Sequence, residues 1–206
     1  MRALILVDIQ NDFLQGGALA VPDGDDIIPI VNQLQRYFDF VIATQDYHPP
    51  NHQSFASQYS GKKIGELVEL DGIPQVLWPD HCVQSTAGAE FSADLDLDKV
   101  DKIFPKGTDD WIDSYSGFFD NEHKKDTGLD EYLKGKEVDQ VFIVGLATDY
   151  CVKYTALDAV SLGFDTWVIT DAVKGVNLQD DASAKALEEM EAKGVKLITS
   201  QDILQN

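Results

Sequence analysis

With 36 Asp and Glu against 16 Lys and Arg, this 206-residue chain carries a formal net charge of −20. A surface of that sign repels nucleic acid and anionic lipid, since both bind through basic patches that neutralise phosphate. The length suits one α/β domain with a sizeable core and is short for two.

No apolar run reaches the roughly 20 residues of a membrane span. The first eight residues hold one basic side chain and a short apolar run that meets Asp8, with no small-residue cleavage site; they read as a strand, not a signal peptide. Cys82 and Cys151 are the only cysteines, too few for a disulfide framework and suited to a reducing, cytoplasmic setting.

In chain order, the apolar run 3–9 predicts a first strand, 26–38 an amphipathic helix and 40–44 a second strand. Residues 45–92 then break the rhythm. This stretch contains Pro49, Pro50, Pro74 and Pro79, and only 64–70 has a helical pattern. A long irregular segment inside a compact domain is usually functional. Regular alternation resumes with strands at 102–105, 140–144, 166–170 and 195–199, and helices at 130–136, 152–162 and 181–192. The last helix places Ala184, Leu187 and Met190 at helical spacing, with Gly194 as its stop signal. The pattern predicts a single domain over 1–206: a Rossmann-like, mostly parallel sheet of about six strands with helices on both faces.

Ligands of such sheets bind at the carboxyl ends of the strands. Three reactive residue types fall there: Asp8 after the first run, Lys106 after the third apolar run and Cys151 after the fourth. A cysteine opening a helix feels the positive end of the macrodipole, and a nearby lysine lowers its pKa further. Asp8 is suited to take the thiol proton and return it to a leaving amine. Singly, each has a plainer reading, as a small buried residue, a strand-end cap or a surface charge; at three strand ends together they favour a site.

Of four histidines, His48, His52 and His81 fall in the irregular segment. In Asp46-Tyr47-His48, alternate residues of an extended chain point the same way. With His81 this gives a carboxylate and two imidazoles, a set that binds Zn, Fe or Mn and leaves positions open. His52 fits a structural hydrogen bond in its Pro-rich turn better than a fourth ligand position, and His123 reads as exposed. Phe13, Trp78 and Tyr115 lie close to candidate polar groups and outside any periodic core pattern, as walls for a flat heteroaromatic ligand would. For Phe13 and Trp78, packing under the long loop is a nearly equal reading.

Together the motifs resemble the nicotinamidase branch of the isochorismatase-like cysteine hydrolases. They are Val-Asp-Ile-Gln-Asn-Asp-Phe (7–13), Asp-Tyr-His-Pro-Pro-Asn-His-Gln-Ser-Phe (46–55), Leu-Trp-Pro-Asp-His-Cys-Val-Gln (77–84), Pro-Lys-Gly (105–107), Ser-Tyr-Ser-Gly-Phe (114–118) and Val-Gly-Leu-Ala-Thr-Asp-Tyr-Cys-Val (144–152). The resemblance implies conversion of nicotinamide to nicotinate and ammonia through a cysteine thioester, a step of NAD salvage, with pyrazinamide as a second substrate. It implies Asp8 as proton shuttle, Lys106 as the charge beside the thiolate and Cys151 as nucleophile. Asp46, His48 and His81 would hold one divalent metal ion, zinc first, with iron or manganese as alternatives. Leu146–Ala147 matches the family's cis peptide, which would aim the Ala147 amide, with that of Cys151, at an oxyanion. Phe13, Trp78 and Tyr115 match the walls of the pyridine site. Residues 108–113 form an insertion beside Lys106 that reshapes the pocket rim. No nucleic-acid or membrane partner is implied, and a homo-oligomer stays open. The competing expectations are another amide hydrolase of the superfamily and a non-catalytic metal-binding protein of the same fold.

Overall fold

A computed structural model describes residues 1–70 and 72–205. Its centre is a six-stranded sheet in which every neighbouring pair is parallel. The strands are β1 (Arg2–Val7), β2 (Phe40–Asp46), β5 (Lys102–Lys106), β6 (Gln140–Leu146), β7 (Asp165–Lys174) and β8 (Lys196–Ile198), in the order β5-β2-β1-β6-β7-β8. A separate antiparallel hairpin is formed by β3 (Leu67–Leu70) and β4 (Ile73–Val76).

The near-continuous apolar runs are explained by what covers the sheet. Along β1, Leu4 and Leu6 face one core, while Ala3, Ile5 and Val7 face the other. The helices α1 (Ile28–Leu34) and α5 (Ser200–Leu204) pack on the first face, through Ile28, Val31, Leu34 and Ile203. On the second lie α2 (Leu129–Gly135), α3 (Lys153–Ser161) and α4 (Ala182–Ala192), through Leu129, Leu133, Ala156, Ala159, Ala186 and Met190. Strands buried on both faces cannot alternate polar with apolar residues, so they read as solid hydrophobic blocks.

Three expectations change. Residues 64–70 are not helical: Leu67–Leu70 pairs with Ile73–Val76, and Gly72 in the turn has a φ of +88°. The amphipathic stretch 26–38 is broken, with α1 flanked by 3-10 turns at Gly24–Ile27 and Gln35–Tyr37. On α4 the buried face is carried by Ala186 and Met190, while Ala184 is exposed.

Strand order reverses at β1, since β2 lies on one side of it and β6 on the other. Such a switch point opens a crevice at the carboxyl ends of the two strands. Gly145 lets β6 close on β1 there: its φ is +116°, and a Cβ would strike the Val7 carbonyl. The irregular segment folds over this crevice, tied down by bridges between His48 and Val83, Phe55 and Trp78, and Gln10 and Phe91.

Candidate active site

The ends of β1, β5 and β6 deliver three reactive side chains to one point. Asp8 follows β1 with a left-handed φ of 50°. Lys106 closes β5, and Cys151 lies in the π-helical turn Thr148–Val152 between β6 and α3. Lys106 Nζ lies 2.9 Å from Asp8 Oδ2, 3.0 Å from Asp46 Oδ1 and 3.5 Å from Cys151 Sγ, and it donates to the Ser114 carbonyl at 2.8 Å. Thr44 Oγ1 donates to Asp8 Oδ1 at 2.5 Å. Each member of the trio is buried, Cys151 the least so at 7% exposure.

Burial sets the electrostatics. It pushes the Asp8 carboxyl above its ordinary pKa, and Lys106 only partly offsets this. It also pushes the Cys151 thiol well above its ordinary value, against the pull of Lys106 and with Asp8 and Asp46 adding to the rise. The sequence suggests a thiol lowered by lysine and helix dipole; desolvation and two carboxylates outweigh both. Lys106 is the converse case. Burial disfavours its charge, but Asp46 and Asp8 hold it well above the usual lysine range.

Beside this trio, Asp46, His48 and His81 converge, with one donor atom of each within 4.8 Å of the others. Both rings are oriented from behind. His48 Nδ1 meets the Gly107 carbonyl at 2.9 Å, and His81 Nδ1 meets the Pro79 carbonyl at 2.8 Å. Carbonyls only accept, so each Nδ1 carries a proton and each ring turns its Nε2 inward. Those atoms lie 2.9 and 3.4 Å from Asp46 Oδ2. Two imidazole nitrogens and a carboxylate oxygen facing one another are the donor set of a borderline divalent cation, so the residues fit the metal that the resemblance implies. Gly107 is required here: at φ +63°, any Cβ would lie 2.5 Å from His48 Cε1.

His52 is fully buried and meets Ser54 Oγ through Nδ1 at 2.7 Å, in the structural role the sequence favours. Its Nε2 has no hydrogen-bond partner, and burial holds its pKa down to about 4, so the ring is neutral. With His48 and Asp113 it forms a second group of donor atoms within 4.8 Å. His123 is exposed, with Asp158 at 3.3 Å.

Cys151 of the trio and Asp46 and His81 of the metal set open onto one narrow pocket. Phe13, Trp78 and Tyr115 line it, as do Ala147 and Cys151. The Leu146–Ala147 peptide is cis. Trp78 Nε1 donates to the Tyr115 hydroxyl at 3.1 Å, and Phe13 sets its edge against His81 with centroids 5.5 Å apart.

Several residues at the site are not distinguished by the sequence. Thr44 reads as the end of an apolar run. Gln10, whose amide brackets the Asp46 backbone with bonds of 2.8 Å in both directions, carries no local sign of that role. Tyr150, Leu19, Val176 and Asp113 also line the pocket. The one signal for Asp113 is its place in the insertion beside Lys106.

Known proteins resemble this chain over almost its whole length. The isochorismatase domain model matches residues 2–202. The nicotinamidase of Escherichia coli is 50% identical over 205 residues, covering 98% of this chain and 96% of its own. The chain belongs to the isochorismatase family, in its nicotinamidase branch. Among solved structures, a nicotinamidase/pyrazinamidase of Acinetobacter baumanii superposes with a TM-score of 0.95 at 50% identity, covering 98% of this chain and 97% of the other. A pyrazinamidase of Pyrococcus horikoshii in complex with zinc gives 0.78 at 43%, covering 96% and 98%. Membership of this family makes the chain a hydrolase acting on amides.

Proposed function

We propose that this chain is a cysteine-dependent nicotinamidase whose substrate binding is assisted by a divalent metal, zinc in the first instance. The observation that carries the reading is the convergence of Asp8, Lys106 and Cys151 with Asp46, His48 and His81, of which Cys151, Asp46 and His81 open onto one aromatic-walled pocket.

The planar pyridine ring of nicotinamide, or of its isostere pyrazinamide, lies between Phe13, Trp78 and Tyr115, with its carboxamide carbon toward Cys151 Sγ. A divalent ion held by Asp46, His48 and His81 supplies, when bound, a Lewis-acid contact for the ring nitrogen. Orientation of this kind contributes up to about 7–11 kcal/mol of barrier reduction. Asp8, made more basic by burial, takes the Cys151 proton as sulfur attacks the carbonyl carbon. The ammonium of Lys106, 3.5 Å from Sγ, balances the thiolate as it forms. The Ala147 and Cys151 amides receive the oxyanion, and loss of one such donor costs about 3–4 kcal/mol. The C–N bond then breaks, Asp8 returns its proton to the departing ammonia, and a thioester remains. Water that gives a proton to Asp8 attacks the thioester, the C–S bond breaks, and nicotinate leaves with the thiol restored. In a reducing cytoplasm, which suits two free cysteines, this reaction returns nicotinamide to NAD synthesis.

Ammonia release from nicotinamide tests the reading, with Cys151→Ala and chelator-treated samples run in parallel. Loss in both supports it. Full turnover by Cys151→Ala removes the thioester route, and full turnover after verified metal removal removes the metal from substrate binding.

A further inference from the structure

The buried charges around the pocket do not balance. Asp8, Asp46, Asp113 and Lys106 are each at most 4% exposed. With histidines counted as neutral, three carboxylates against one ammonium leave a formal charge of −2. Lys106 is committed to Asp8 and Asp46, and among the described residues no Lys or Arg pairs with Asp113. Buried charges persist when they are paired or coordinate a metal. Asp113 Oδ1 lies 4.0 Å from His48 Nε2, the atom that faces the metal set. That separation is too long for a hydrogen bond, so Asp113 bears on the metal set through its charge. The same carboxylate extends toward the aromatic wall. Its Oδ2 is 3.4 Å from Gln75 Nε2, and that nitrogen lies 3.3 Å from the Tyr115 hydroxyl. Gln75 comes from β4, so the hairpin that breaks the sequence pattern reaches the site through this side chain.

We propose that Asp113 is a positioning residue of the metal centre. It supplies the second negative charge that retains a divalent ion among Asp46, His48 and His81, and through Gln75 it sets the Tyr115 wall in register with that ion. The inference rests on the metal-assisted reading above and adds to it a residue from the loop after Lys106. A purely structural role is separable. Oδ1 accepts the Ser114 N–H at 2.8 Å, and Asp113→Asn keeps that acceptor while removing the charge.

The test is a zinc titration of chelator-stripped protein against a chromophoric chelator, with thermal unfolding recorded in the stripped state. Asp113→Asn is expected to bind zinc about 10–100-fold more weakly than the unmodified protein, the range found for lost outer-shell partners. Asp113→Glu is expected to bind more tightly than Asp113→Gln by a similar factor. That pair compares charge at matched size and decides the matter even where Asp113→Asn unfolds. Gln75→Leu is expected to leave zinc affinity within about twofold and to raise KM for nicotinamide more than it lowers kcat. Asp46→Asn separates the two levels of inference. If it loses zinc while the charge-neutral Asp113 variants bind as the unmodified protein does, the metal reading stands and the role of Asp113 is overturned. If the unmodified protein itself takes up no zinc, both fall.

Discussion

At the scale of single residues, Lys106 and Cys151 occupy the same site but stand in different relations to the fold. Cys151 is a small neutral thiol, and Cys151→Ala removes one sulfur from a site at the pocket surface. Lys106 bridges two buried carboxylates, and removing one partner of such an arrangement leaves uncompensated charge, at about 3–5 kcal/mol. Lys106→Met is therefore expected to lose stability by about that amount as well as activity, whereas Cys151→Ala loses activity alone. Denaturant midpoints of the two variants check this, and an unshifted Lys106→Met midpoint refutes it. Asp8 adds a pH dependence. In the proposed mechanism its carboxylate must be ionised to take the thiol proton, and burial raises its pKa in the folded protein. As pH falls, kcat/KM is thus expected to drop by protonation of Asp8 above the ordinary carboxylate range. A pH–rate profile whose acid limb lies at or below the ordinary carboxylate value of 3.8 contradicts that assignment.

At the scale of elements, legibility follows burial. The blocks that form β1, β2 and β6 are covered on both faces, and their uninterrupted apolar composition is enough to announce a parallel sheet. The hairpin β3–β4 is different: exposed and partly buried residues alternate along Leu67–Leu70, and Glu66 and Glu69 interrupt the apolar pattern. With Ile64, Leu67 and Val68 spaced as on a helix, local pattern points the wrong way, and cross-strand pairing to Ile73–Val76 decides the outcome. The site divides along the same line. Asp8, Lys106 and Cys151 are visible because strand ends are visible. Asp113 and Gln75 are not, because a loop and a hairpin acquire meaning only from what they fold against. The turn that carries Cys151 is a further case. Asp149, two residues before Cys151, accepts the backbone N–H groups of Val176 and Asn177 at 2.9 and 2.8 Å, fastening the turn to the chain beyond β7. Asp149→Ala strands two donors and loses bonds to a charged acceptor worth about 1.5–3 kcal/mol each. A loss of roughly 3–6 kcal/mol in unfolding free energy is expected, with kcat/KM falling as the turn loosens. Undiminished stability in this variant would mean that the turn is held by its own π-helical bonds alone.

At the scale of the whole molecule, the −20 charge returns as a matter of product handling. Surface lysines are spent locally: Lys62, Lys134, Lys153, Lys185 and Lys196 each sit on an adjacent carboxylate, so the excess of acidic groups stays uncompensated and the protein carries a long-range negative field. The pocket itself comes to neutrality once two positive charges join Asp8, Asp46, Asp113 and Lys106, so an incoming or departing ligand feels chiefly the distant surface. Nicotinamide is uncharged and indifferent to that field; nicotinate is an anion and is driven outward by it. The same acidic charge thereby favours product release over product inhibition. Raising ionic strength from about 0.01 to about 1 M shortens the Debye length from ~30 to ~3 Å. Over that range the inhibition constant of nicotinate is expected to fall, by roughly threefold or more for a surface potential of about one kT, while KM for nicotinamide stays level. Parallel salt series of substrate kinetics and product inhibition make the comparison. A nicotinate constant that is flat or rises with salt would place control of product release within the pocket, at the metal and its ligands, and not on the acidic surface.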